Sequence, residues 1–90
     1  MSEWTEFKEE LNLTNEDINL IELEKDLIKA MVKIREDQGL SQAELAKKSH
    51  VKQPAIARLE KGTHSPQIDS LLRILAPMGF TLQIVPMKRL

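Results

Sequence analysis

Apolar positions along this chain fall into six blocks, five with helical spacing and a last one that alternates. Trp4, Phe7 and Leu11 recur at helical intervals with Glu and Lys between them, which predicts a short amphipathic helix. Residues 12–14 read as the joint after it. The hydroxyl of Thr14 is placed to cap the amide of Asp17, with Leu13 and Ile18 as a hydrophobic staple around that cap. Leu20, Leu23, Leu27, Met31 and Ile34 then follow in steps of three or four, and no glycine or proline intervenes before Gly39. This pattern predicts one long helix, or two abutting ones, closed by Gly39 in the left-handed conformation.

Ser41 and Glu44 form a capping box, and Leu40 and Leu45 the staple around it. The helix they open must be short, because His50 and Val51 interrupt it and Pro54 follows. Proline fits a first helical turn and not a deeper one, so a new helix starts at Gln53 or Pro54 and stops at Gly62. Ser65 and Pro66 open another, with Ile68, Leu71, Leu72 and Leu75 on its expected buried side, Pro77 kinking its end and Gly79 closing it. Beyond Gly79, Phe80, Leu82 and Ile84 alternate with Thr81, Gln83 and Val85 up to Pro86, the pattern of a short strand. The expected division is an arm over residues 1–26, a helical domain over 27–79 and a strand over 80–86.

Ninety residues with 41% apolar content support one core, and only Trp4, Phe7 and Phe80 are aromatic, so that core is aliphatic. The absence of cysteine removes disulfides and thiolate metal sites and suits a reducing, cytoplasmic setting. Apolar runs are too short for a membrane span and no signal pattern opens the chain, so no membrane partner is expected. The net charge of −1 hides an asymmetry: residues 1–26 carry nine acidic groups against Lys8 and Lys25, a balance of −7, and residues 27–90 balance at +6. That split points to a basic partner for the first part and a polyanion for the second. His50 and His64 have no further ligand to complete a metal site, and Ser41, Ser49 and Ser65 are accounted for by caps and turns. No nucleophile, base and orienting group can be assembled, so neither an enzyme nor a cofactor is expected.

Two short helices joined by a tight turn, the second offering side chains to a major groove, form a recurrent DNA-reading device. It needs a small residue where the helices cross, and Ala46 is so placed. The fourth residue after it, usually glycine, is His50, a type that tolerates the left-handed region better than most. Val51, Ile56 and Leu59 would pin the second helix to the core. The runs Gly39-Leu40-Ser41-Gln42-Ala43-Glu44-Leu45-Ala46 and Gln53-Pro54-Ala55-Ile56-Ala57-Arg58-Leu59-Glu60-Lys61-Gly62, with Val51 between them, resemble the Xre/Cro-type repressor family over about residues 27–76. The resemblance implies a mainly α, five-helix, lambda-repressor-like domain. It also implies a phosphate contact for Gln42, base reading by Gln53 and Arg58, and a structural ion pair between Arg35 and Glu60. Chemistry agrees on the reading pair: glutamine can bond adenine bidentately, and arginine guanine. Lys52, Ala55, Lys61, Thr63 and His64 are suited to the DNA backbone. Pro54 can offer only apolar contact to sugar or a thymine methyl.

The acidic arm, the Xre-type core and the tail Gly79-Phe80-Thr81-Leu82-Gln83-Ile84-Val85-Pro86 together are similar to HigA-type antitoxins. That resemblance implies two partners, double-stranded operator DNA and a small basic messenger-RNA-cleaving toxin of the RelE-like class encoded alongside; the strand, unpaired in its own chain, adds a second copy of the chain as a third. In that reading Trp4, Phe7 and Leu11, with Glu3, Glu6 and Glu10, hold the toxin, and Phe80, Leu82 and Ile84 join the homodimer. The alternatives are a stand-alone Xre-type repressor, or a protein-interaction module or coactivator on the same scaffold.

Overall fold

The computed structural model describes residues 14–87. The arm helix expected around Trp4, Phe7 and Leu11, and the staple through Leu13, lie outside the described residues. Within them the chain forms α1 (Asn15–Asp37), α2 (Gln42–Ser49), α3 (Gln53–Lys61) and α4 (Ile68–Leu75), followed by a 3-10 turn over Ala76–Met78. Thr14 caps α1 reciprocally: its hydroxyl accepts from the Asp17 amide at 3.1 Å and Asp17 Oδ2 accepts from the Thr14 amide at 3.2 Å. From there α1 runs as a single helix of 23 residues, straight through the composition change at residue 26. It ends at Gly39 (φ 70°), where the amides of Gly39 and Leu40 donate back to the carbonyls of Glu36 and Arg35. That paired closure satisfies carbonyls the helix would otherwise leave open.

Ser41 and Glu44 cap α2 in the same reciprocal way as Thr14 and Asp17, at 2.8 and 3.0 Å. The core gathers Met31 from α1, Leu45 from α2, Ile56 from α3, and Leu71, Ile74, Leu75 and Met78 from α4 and the turn after it. Leu27, Ile34, Leu40, Ala46, Val51, Leu59 and Leu82 pack partly buried around them. The core cluster contains no aromatic ring. Gln38 Nε2 donates to the Met78 carbonyl at 2.8 Å, tying the end of α1 to the end of the helical array.

Two expectations are corrected. On α4, Ile68 is 69% exposed and Leu72 is 40% exposed, whereas Ile74 is wholly buried. The stripe that meets the core is Leu71, Ile74, Leu75 and Met78, a spacing of i, i+3, i+4, i+7 that continues into the 3-10 turn. On α1, Leu20 and Leu23 are exposed, whereas Ile21, Glu24 and Ile28 face the loop at Gly62, Thr63, His64 and Ser65. Second, the described residues hold four α-helices and no strand, so the count of five helices and the C-terminal strand find no support among them. Among the described residues no strand lies beside residues 80–87. Leu82 rests on the core, while Phe80 is half exposed and Ile84 almost wholly exposed.

Candidate nucleic-acid interface

The turn between α2 and α3 is built around His50, which sits at φ 60°, ψ 24°, the one residue other than glycine with positive φ among the described residues. Ser49 is buried beside it, and its hydroxyl accepts from the Val51 amide at 3.3 Å. After the turn, Lys52 and Gln53 lead into α3, and Pro54 occupies its first turn, where no intrahelical amide bond is lost. Ile56 is wholly buried and Leu59 packs on the core. Those two anchors point the remaining positions outward: Lys52, Gln53, Pro54, Ala55, Arg58 and Lys61 are all exposed. Thr63 and His64, just past Gly62, are exposed as well.

Behind this face lies an ion pair. Arg35 Nε and Nη2 donate to the two carboxylate oxygens of Glu60 at 2.8 and 3.1 Å, and Nη1 donates to the Leu40 carbonyl at 2.8 Å. The two side chains are only 12% and 9% exposed. Hydrogen bonding to Glu60 holds the guanidinium proton more tightly than usual, against the opposing effect of burial. Gln42 Nε2 also donates to Glu60 Oε1, at 2.8 Å. One hydrogen of its amide is thereby committed to the pair, leaving the second for any phosphate. From Ala46 to His64 the chain carries Lys47, Lys48, Lys52, Arg58 and Lys61 against the lone carboxylate Glu60, which Arg35 neutralises. The surface around α3 is therefore positive.

Two of the shallow depressions beside α3 border its exposed face. One, at the turn, is lined by Ala43, Ala46, Lys47, His50, Val51 and Lys52. The other, between α3 and the start of α4, is lined by Arg58, His64, Ser65, Gln67 and Ser70 among others. Arg58 and His64 thus come together, whereas Lys52 and Gln53 sit at the opposite end of the helix. Lys47 and Lys48, exposed on the last turn of α2, were missed by motif reasoning; their signal is a basic pair immediately before the turn. Ser65 does not cap α4. Its hydroxyl donates to Glu24 of α1 at 3.1 Å, and Gln67 takes the cap position without a side-chain bond. Trp4, Phe7, Leu11, Glu3, Glu6 and Glu10 lie outside the described residues. Among the described residues no cluster of His, Cys, Asp or Glu could hold a metal ion, and no helix is long and apolar enough to cross a membrane.

Comparison with known proteins agrees with this geometry. The helix-turn-helix family model matches residues 31–85, from the middle of α1 through the tail. The chain is 45% identical over 87 residues to an uncharacterized HTH-type transcriptional regulator of Haemophilus influenzae, covering 97% of this chain and 88% of that protein. A solved toxin–antitoxin module from Streptococcus pneumoniae superposes with a TM-score of 0.69 at 36% identity, over 98% of this chain and 96% of that one. With the turn, the anchored α3 and the family match in agreement, the chain belongs to the Xre-type helix-turn-helix family.

Proposed function

We propose that this protein is a DNA-binding antitoxin that represses its own operon and neutralises a small basic ribonuclease toxin of the RelE-like class in the cytoplasm. The observation that carries the reading is the likeness to the pneumococcal toxin–antitoxin module, which extends over nearly the whole of both chains. The exposed face of α3 supplies the DNA half. Gln53 and Arg58 read base edges, and Lys52, Ala55, Lys61, Thr63 and His64, with the free hydrogen of Gln42, bind the backbone. Arg35 and Glu60 hold the reading helix in place and do not touch DNA.

Residues 1–26, with Trp4, Phe7 and Leu11 as apolar anchors and Glu3, Glu6 and Glu10 around them, take the toxin; its RNA-binding surface must be basic. Two copies join through Phe80, Leu82 and Ile84. Residues 80–86 become a strand only there, pairing antiparallel about a two-fold axis, which sets two reading helices for half-sites about 34 Å apart. The test is paired. The chain should shift a duplex taken from upstream of its own gene with steep salt dependence, and should restore growth to cells expressing the neighbouring gene product. A neighbouring product that is harmless alone, or one that stays toxic beside this chain, overturns the antitoxin reading and leaves a repressor.

A further inference from the structure

Leu20 and Leu23 are 61% and 63% exposed, although they belong to the line that continues into Leu27 on the core. Residues three and four apart lie side by side on a helix, so the three leucines form one stripe whose last member the domain covers and whose first two stand bare. The same spacing sets Glu16 and Asp17 one turn before Leu20 and Asp26 one turn after Leu23, all three exposed. Lys25 and Lys29 fall on the other side of the helix at 100° per residue.

We infer that the Leu20–Leu23 stripe of α1 is the docking surface for a basic protein, whose apolar groove covers the two leucines while its lysines or arginines meet Glu16, Asp17 and Asp26. This rests on the antitoxin reading and, within residues 1–26, moves the apolar contact from Trp4, Phe7 and Leu11 to the first turns of α1. Charge selects the occupant. A second copy meeting it by the same face about a two-fold axis would bring the same carboxylates against this surface, and one meeting it with the positive face of α3 would cover its own DNA-binding surface. Residues 1–13 of the same chain carry Glu3, Glu6, Glu9 and Glu10 against Lys8 and would also bring negative charge. A basic partner offers the opposite sign and leaves the α3 face open to DNA.

The chain lacks cysteine, so Leu20→Cys and, on the far side, Lys29→Cys each give a single thiol in the full-length protein. The probe partner is the purified product of the neighbouring gene, whose binding to the wild-type chain is first established by co-elution. The Leu20→Cys thiol should label rapidly with maleimide in the free chain and slowly once partner is added, with Lys29→Cys unchanged. Leu20→Ala with Leu23→Ala keeps good helix formers and removes the stripe, so its affinity for the partner should fall about a hundredfold. No co-elution with the wild-type chain overturns the antitoxin reading and this inference together. Co-elution with unchanged labelling at position 20 overturns the inference alone. Slow labelling in the free chain also overturns it: rates that change with protein concentration identify a second copy on the stripe, and rates independent of concentration identify residues 1–13.

Discussion

Arg35 spends three donors on two parts of the chain beyond its own helix, a fork on Glu60 of α3 and a bond to the Leu40 carbonyl. Arg35→Met would leave the Glu60 carboxylate buried without its cation, at a cost of about 3–5 kcal/mol in urea unfolding. A loss below about 1 kcal/mol would show the pair to be dispensable. Glu44 is the opposite case, a fully exposed carboxyl held below the usual range by the amide and hydroxyl of Ser41. Its contribution is complete above the unfolded value near ~4.3 and is lost as pH falls through the lower folded value. Glu44→Gln keeps an acceptor for the cap and removes that titration, so stability should decline less steeply with acid than in the wild type; equal slopes below pH ~4 would refute this. Ser41, Glu44 and His50 are legible in sequence because a cap or a left-handed turn is set by neighbours three or four residues away. The bond from Gln42 to Glu60 is not, since it spans 18 residues and exists only once α2 has packed on α3.

At the scale of elements, periodicity identifies a helix and its apolar side but not how far the rest of the protein covers it. Leu20 and Leu23 fit the stripe of α1 as well as Met31 does, yet only Met31 has a domain opposite it. On α4 two apolar stripes overlap, and the one chosen by the core contains Ile74 in place of Ile68 and Leu72. The tail shows the same limit in a β setting. Alternation from Phe80 to Val85 describes a segment suited to pairing, and a strand exists only where a second one lies beside it. Removing residues 80–90 should therefore turn a dimer into a monomer in sedimentation, with the helical circular dichroism largely kept. A dimer that survives the truncation would place the contact between copies elsewhere. Loss of Leu82 from the core makes a modest drop in stability part of the expected result.

The whole molecule is divided electrically, with a balance of −7 over residues 1–26 and +6 over the remainder. In the proposed reading the positive surface around α3 attracts any duplex, and Gln53 and Arg58 discriminate among duplexes. The two contributions should separate by mutation. Arg58→Ala should lose about 1–3 kcal/mol on the operator and relax preference at one base pair. Lys61→Ala should weaken operator and scrambled duplexes alike and lower the salt slope by about one unit. An unchanged ratio of operator to scrambled affinity in Arg58→Ala would remove it from base reading. The exposure of these residues is legible from the motif, because the anchors Ile56 and Leu59 fix which positions face away from the core. The cleft that brings Arg58 to Ser65, Gln67 and Ser70 is not, since it arises where the loop before α4 bends back to bond Glu24.

The uninterrupted run of α1 makes rotational phase a property of the assembly. With no glycine or proline from Asn15 to Asp37, a protein gripping the first turns is held at a set azimuth relative to the DNA-reading helix. One alanine inserted between Asp26 and Leu27 would swing Leu20 and Leu23 by about 100° around the helix axis; seven would return them to within about 20° while carrying them about 10 Å outward. Both variants should still bind the partner in the absence of DNA. On the operator, the partner-dependent footprint should be disrupted by the single insertion and regain its pattern, displaced outward, with seven. A footprint indifferent to one added residue would mean that α1 transmits position without orientation.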